Sequence, residues 1–236
     1  MVIGCAQKPW QPLAVALERE MAFPKKTAKL TISEPNFQSV KFKIRGTAPL
    51  MVHHFGEKAR KQIIQKQTAE NKVIGKRPPK DYKAEFENAR YRASSGGWDG
   101  FYAGSIRNAM IAAARYVDGL QMTKSKGLFF VQADGNDRTD GTPLVRIRGC
   151  KAIHDTRPAR NDDGGADIRN RPRFDNWYAD IIIDFDADAM TAQDIANLLH
   201  RAGTQVGICD GRPGSPNSNG MGFGTFRVEG SKKAKR

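Results

Sequence analysis

Val40-Lys41-Phe42-Lys43-Ile44-Arg45 alternates without a break, apolar at even positions and cationic at odd ones. A period of two is the pattern of a half-buried strand, because successive side chains point to opposite faces. One face buries Val40, Phe42 and Ile44. The other presents Lys41, Lys43 and Arg45 to solvent. Residues 144–149 repeat the pattern, with Val145 and Ile147 inward and Arg146 and Arg148 outward. Residues 177–186 form the most apolar strand, around Ile181-Ile182-Ile183. Residues 127–133 make a short strand. Residues 223–228 make the last one, with Phe226 and Val228 inward and Arg227 outward.

Two helices fall between these strands. Ile106, Met110, Ala113, Ala114 and Val117 recur at helical spacing, with Ser105 placed to cap the start and Gly119 to stop the end. Ile195, Leu198, Leu199 and Ala202 form a second apolar stripe. Thr191 and Asp194 have the spacing of a capping box, and Gly203 marks the stop. The order strand, insertion, helix, strand, strand, helix, strand is that of an α+β, ferredoxin-like (RRM-like) domain: an antiparallel sheet with two helices packed on one face. Alternation fixes the register, since a one-residue slip would expose the apolar set. The uncovered face then collects Lys41, Lys43, Arg45, Arg146, Arg148 and Arg227, with Phe223 beside them to stack a base.

The rest of the chain is arranged around this core. Residues 1–36 are irregular, and 1–20 read as a loose extension or an upstream start ahead of Met21. They carry no basic start followed by an apolar run, so they do not read as a secretory signal. The domain is expected over 37–230, with a finger- or thumb-like insertion at 48–103 and a polar loop at 157–173. The insertion reads as two helices, 56–71 and 81–92, around a loop at 75–80. From 57 to 92 it holds 11 cationic and five acidic residues. The loop carries Asp162-Asp163-Gly164-Gly165 and then Arg169, Arg171 and Arg173. The tail, 231–236, reads as basic and disordered.

Net charge is +14, from 39 Lys+Arg against 25 Asp+Glu. Such an excess favours polyanions, since neutralising each phosphate releases condensed counterions. Cys5, Cys150 and Cys209 are scattered and odd in number. They make neither a disulfide framework nor a zinc spacing, which points to a reducing, cytoplasmic setting. No apolar run is long enough to suggest a membrane partner.

Residues 211–224, Gly-Arg-Pro-Gly-Ser-Pro-Asn-Ser-Asn-Gly-Met-Gly-Phe-Gly, form a glycine-rich segment whose backbone N–H groups can approach phosphates closely. It runs from helix to strand and lacks a Gly-Lys-Ser/Thr ending, so it is neither a dinucleotide fingerprint nor a nucleotide phosphate loop. Together with two other segments it resembles the repeat-associated (RAMP) superfamily of CRISPR proteins. Thr47-Ala48-Pro49-Leu50-Met51-Val52 is similar to that superfamily's opening threonine-proline-leucine motif. Residues 101–110, Phe-Tyr-Ala-Gly-Ser-Ile-Arg-Asn-Ala-Met, are similar to its glycine-serine-apolar-basic helix start. Gly220-Met221-Gly222-Phe223-Gly224 is similar to its C-terminal glycine loop.

Within the superfamily the chain looks most like the backbone subunit of CRISPR effector complexes. That resemblance implies a non-catalytic binder of single-stranded RNA, polymerising in copies of itself along a guide and meeting other effector subunits. It also implies that Arg107, Arg146, Arg148 and the loop residues Gly222, Phe223 and Gly224 line the RNA groove. A phage-borne relative that binds single-stranded DNA, or an inhibitor mimicking a complex subunit, stays open.

Catalysis is the rival reading. Other RAMP proteins are metal-independent endoribonucleases with a histidine near the first strand, and His53 and His54 stand there. A histidine near neutral pKa can take a proton from a ribose 2′-hydroxyl. No Tyr, Lys or second His can be tied to them by spacing, so both read first as polar loop residues. Asp134, Asp137 and Asp140 have turn spacing, and Asp180, Asp184, Asp186 and Asp188 read as solvated or paired to neighbouring arginines. No metal and no cofactor is expected.

Overall fold

β1 (Phe37–Gly46) is the alternating segment, and it is paired along both edges. The computed structural model describes residues 32–55, 64, 81–160, 166–215 and 221–230. β1 and everything discussed below lie in the compact unit Pro35–Arg236. β10 (Tyr178–Asp186), β5 (Phe129–Val131) and β11 (Phe226–Val228) complete a four-stranded sheet in the order β11-β1-β10-β5. All its pairings are antiparallel.

The inner face of this sheet buries Ile44, Ala179, Ile181, Ile183, Phe129, Phe226 and Val228. These share one core with Ile106 and Met110 of α2 (Gly104–Ala113) and with Ile195, Leu198 and Leu199 of α4 (Ala192–Arg201). The helices therefore lie on the inner side, and the outer side stays half-exposed. Burying such side chains contributes roughly 1.5–3 kcal/mol each, so the register set by alternation is strongly held.

The two helix ends differ from expectation. Thr191 and Asp194 do make the reciprocal capping box of α4. Ser105, however, is not a cap: α2 begins at Gly104 after Ala103, with no side-chain cap bond. Nor does Gly203 end the second helix. The coil continues through a π-turn, Ala202–Val206, and turns away at Gly207 with φ of 72°. Gly203 is needed for contact instead, because a Cβ there would collide with the Phe226 carbonyl of β11.

Two smaller sheets flank the first. β3 (Tyr91–Arg92), β4 (Asp99–Tyr102), β7 (Pro143–Arg146) and β6 (Gly135–Asn136) pair in the order β3-β4-β7-β6. β2 (Leu50–Met51), β9 (Ala166–Phe174) and β8 (Ile153–Arg160) pair in the order β2-β9-β8. Trp177 is fully buried beside both larger sheets, edge-on to Phe101 of β4 and Phe226 of β11 at 6.2 Å each. Its indole N–H donates to the Ala48 carbonyl at 2.9 Å.

These sheets correct two expectations. Residues 144–149 keep their alternation, but β7 pairs with β4 and β6, and the stretch meets the first sheet only where Arg148 exchanges backbone hydrogen bonds with Tyr178, the first residue of β10. Alternation fixes which face a strand buries and says nothing of its neighbour. The stretch 157–173, expected to be a loop, is most of an eight-residue register between β8 and β9. Arginine at every second position masked its strand pattern. In the insertion, α1 (Tyr82–Asn88) forms within the expected helix, capped by Asp81 accepting from the Lys83 and Ala84 N–H groups. β2, β3 and β4 arise from the same insertion. The expected helix 56–71, apart from Ile64, the loop 75–80, and the charge count made there lie outside the described residues, as do residues 1–31 and the tail 231–236. No helix among the described residues is long and apolar enough to cross a membrane.

Candidate nucleic-acid interface

Lys41, Lys43 and Arg45 do share the outer face of the four-stranded sheet, and Arg227 joins them opposite Arg45. The same register puts Asp184 and Asp186 of β10 on that face and sets Asp180 directly opposite Lys43. Glu229 reaches across to bond Lys43 at 3.0 Å and Arg45 as well. Lys43 and Arg45 also lie over the Tyr178 ring, at 4.7 and 5.5 Å. Four cations thus meet four carboxylates, and the face is close to neutral.

Arg148 joins this face from the neighbouring segment: it pairs with Tyr178 through an isolated bridge, and its guanidinium turns to Asp180 at 3.4 Å. Other residues expected there are elsewhere. Arg146 belongs to β7 and lies over Trp98 at 5.8 Å. Arg107 bonds the Phe129 and Lys126 carbonyls and stacks on Phe130 at the β5 edge. Phe223 is 9% exposed and precedes β11, so it presents no open ring for stacking. Of the six cations expected on one surface, Lys41, Lys43, Arg45 and Arg227 share it, Arg148 reaches it beside Asp180, and Arg146 stands apart.

The β8–β9 ribbon gathers arginines where the sheet does not. Its register sets Arg157 opposite Arg169, Asp155 opposite Arg171, and Ile153 opposite Arg173. Residues facing each other across an antiparallel pair share a face, and so do alternate residues along each strand. Four guanidiniums therefore stand on one side of a two-stranded ribbon. The other side carries His154 and Asn170, which meet α1: Asn170 donates to Glu85 at 2.8 Å, and the His154 ring lies 4.9 Å from Phe86.

The arginine face is braced from beneath. Asp155 is 7% exposed and accepts from Arg157 and Arg173, each at 2.6 Å. Arg173 is also held by Asp175 at 3.0 Å, and Arg171 by Asp210 at 3.5 Å. Arg157 and Arg169 face each other directly across the ladder, one on each strand.

The glycine-rich segment borders this face. Arg157 lies over the Phe223 ring at 4.7 Å. Gly224 has φ of 67°, and a Cβ there would strike the Ile208 carbonyl; its N–H donates to the Pro49 carbonyl at 2.8 Å. Gly222, with φ of 73°, would place a Cβ in open space, so backbone conformation alone demands glycine there. Residues 216–220 of the segment lie outside the described residues.

His53 and His54 point to different surroundings. His53 keeps an exposed edge near the arginine face. Partial withdrawal from water, then the charges of Arg171 and Arg169, pull it down to about 4 against the opposite pull of Asp210. His54 is buried at 5%. Its Nδ1 faces the Asn88 carbonyl at 3.2 Å and its Nε2 faces Asp140 at 3.3 Å. The His54 ring is thus enclosed and presents neither nitrogen at the surface.

No family model and no curated protein matches this chain. What the site offers chemically is a row of planar, permanently charged forks suited to phosphate oxygens. Arg169, Arg171 and Arg173 were legible as a basic run. Arg157 and its brace Asp155 were not, nor was Asp210 beside Arg171, although alternation through Asp155-Thr156-Arg157 was there to be used.

Proposed function

We propose that this chain holds single-stranded nucleic acid, guide RNA first, by its phosphates along the arginine face of the β8–β9 ribbon. In this reading it acts without catalysis, as a repeated backbone subunit of the RAMP kind on a ferredoxin-like palm. The palm reading is supported by the strand order: fourth-first-third-second among β1, β5, β10 and β11, with one helix after the first strand and one after the third. The repeated-copy reading rests on the motif resemblance alone. The observation that carries binding is the gathering of Arg157, Arg169, Arg171 and Arg173 on one side of the β8–β9 ribbon.

Titrating a labelled RNA of about thirty nucleotides at several salt concentrations tests this. With about three phosphates contacted, the slope of log K against log[salt] is about −2. A flat response counts against phosphate recognition. Equal affinity for single-stranded DNA would favour the phage-type reading over guide RNA. Bound mass that does not grow with RNA length would remove the polymer. RNA cleavage lost on His53→Ala would replace the binder with a ribonuclease.

A further inference from the structure

β8 is the outermost strand of the sheet β2-β9-β8, with β9 along its inner edge. The register tells which of its backbone groups face outward. The Val52 N–H donates to the Pro172 carbonyl at 3.1 Å, so Pro172 turns its backbone toward β2. Backbone groups alternate sides along a paired strand. Arg169, Arg171 and Arg173 therefore turn theirs toward β8, opposite Arg157, Asp155 and Ile153. It follows that His154, Thr156 and Pro158 aim theirs away from β9. No strand and no backbone partner meets those groups among the described residues. α1 packs mainly against β9, away from this edge.

An open edge of this kind is a template for a further strand. The sequence of β8 itself selects one: a second copy of β8, laid antiparallel. A register centred on Asp155 or on Arg157 would set like charges face to face, which is destabilising. One centred on His154 would set Arg157 opposite Lys151, again like charges. One centred on Pro158 would put no N–H donor at the axis. The register centred on Thr156 sets Asp155 opposite the partner's Arg157, and Arg157 opposite the partner's Asp155. Charge complementarity thus singles it out.

The same register satisfies the backbone. Each Thr156 N–H meets the partner's Thr156 carbonyl, and each His154 N–H meets the partner's Pro158 carbonyl. Pro158 falls opposite His154, where its missing N–H loses a single bond per copy. Ile153, 42% exposed, comes to lie beside the partner strand. A two-fold axis perpendicular to the sheet keeps the odd positions of both copies on one side. Arg157, Arg171 and Arg173 of both copies would then line one continuous face.

We infer that two copies of this chain join β8 to β8 about a two-fold axis at Thr156, making one sheet in the order β2-β9-β8-β8-β9-β2. The contact is self-complementary and closes on itself, so it forms without nucleic acid. Its consequence for phosphate binding, a ribbon face shared by two copies, rests on the function proposed above; the pair itself does not.

Sedimentation equilibrium of the full chain without nucleic acid tests the pair, in about 0.3 M NaCl to screen the net charge. The mass should rise from one chain toward two between about 10 and 500 µM, the weak range of a small contact. Thr156→Pro removes both central N–H donors and should weaken the pair by about tenfold or more. Thr156→Val loses the same hydroxyl bond to Asn170 but keeps the N–H, and should leave the pair intact. Should Thr156→Pro fold poorly, hydrogen exchange of the wild type decides: the His154 and Thr156 N–H groups should gain protection as concentration rises. A one-chain mass throughout, equal association of the Pro and Val variants, or exchange at those two groups that ignores concentration would each overturn the pair. RNA is absent from these measurements. A missing pair therefore leaves phosphate binding by a single ribbon standing, and failed RNA binding leaves the pair standing.

Discussion

The outer face of the four-stranded sheet and the arginine face of the β8–β9 ribbon are built from the same residue types and hold their carboxylates differently. On the sheet, each strand alternates cleanly, but β1 supplies the cations and β10 supplies Asp180, Asp184 and Asp186 opposite or beside them. The result is a balanced surface of exposed pairs, each contributing little. On the ribbon, both strands bring arginine to the same side, with Asp155 buried among them and Asp210 and Asp175, from beyond the two strands, holding Arg171 and Arg173. The two faces therefore differ in where their carboxylates come from: neighbouring strands on the sheet, largely the surroundings on the ribbon.

The largest expected difference between the two regions is in binding. Reversing Arg157 and Arg169 together to Glu should weaken RNA by about 100-fold, since two charge-assisted contacts are lost and replaced by repulsion. Because Arg157→Glu also takes a partner from buried Asp155, the melting temperature should fall, and affinities are compared where circular dichroism shows both proteins folded. The salt slope should fall by about 1.4 in the same variant. Full affinity in that variant would remove the ribbon from the proposed interface.

Next in size is the brace. Burial alone would push Asp155 up, but hydrogen bonds and charges from Arg157 and Arg173 outweigh it and hold the carboxyl below its usual range. A group depressed in the folded state stabilises above its unfolded pKa, about 3.9, and that stability is lost as pH falls through the folded value. Asp155→Asn should therefore cost about 2 kcal/mol at pH 7. The difference from wild type should shrink in melts taken progressively below pH 4. A loss that stays constant with pH would mean that Asp155 acts by packing and not by charge.

This contrast also explains what the sequence made legible. The apolar face of β1, the buried stripes of α2 and α4, and the Thr191 box were all readable, because each is a local pattern tied to one period. Partner choice was not. Residues 144–149 have the same alternation as β1 and yet pair with β4, since nothing in a single strand names its neighbour. The ribbon was missed as strands because its odd positions carry charge on what looked like a loop. Its flanks hold Pro158 and Pro172, both usual loop residues. The charge of a face is a sum over neighbouring strands, so it is the last quantity a linear reading recovers. The burial of His54 within its loop was not legible for the same reason: its partners lie 83 and 86 residues further along the chain.

The smallest expected effect sharpens the comparison most. Lys41 and Arg227 are the exposed cations of the sheet face, so Lys41→Glu with Arg227→Glu makes that face net negative. If RNA follows the ribbon, this double reversal should change affinity less than about threefold, through the long-range field alone. That field is largely screened beyond about 8–10 Å at physiological salt. The residual effect should vanish when salt is raised to about 0.5 M, whereas the Arg157/Arg169 deficit should persist in ratio. A loss as large as that of the ribbon variant would place RNA on the palm after all. In that case Asp180, Asp184 and Glu229 would have to release their cations when the strand binds, and Glu229→Gln would then raise affinity instead of leaving it unchanged.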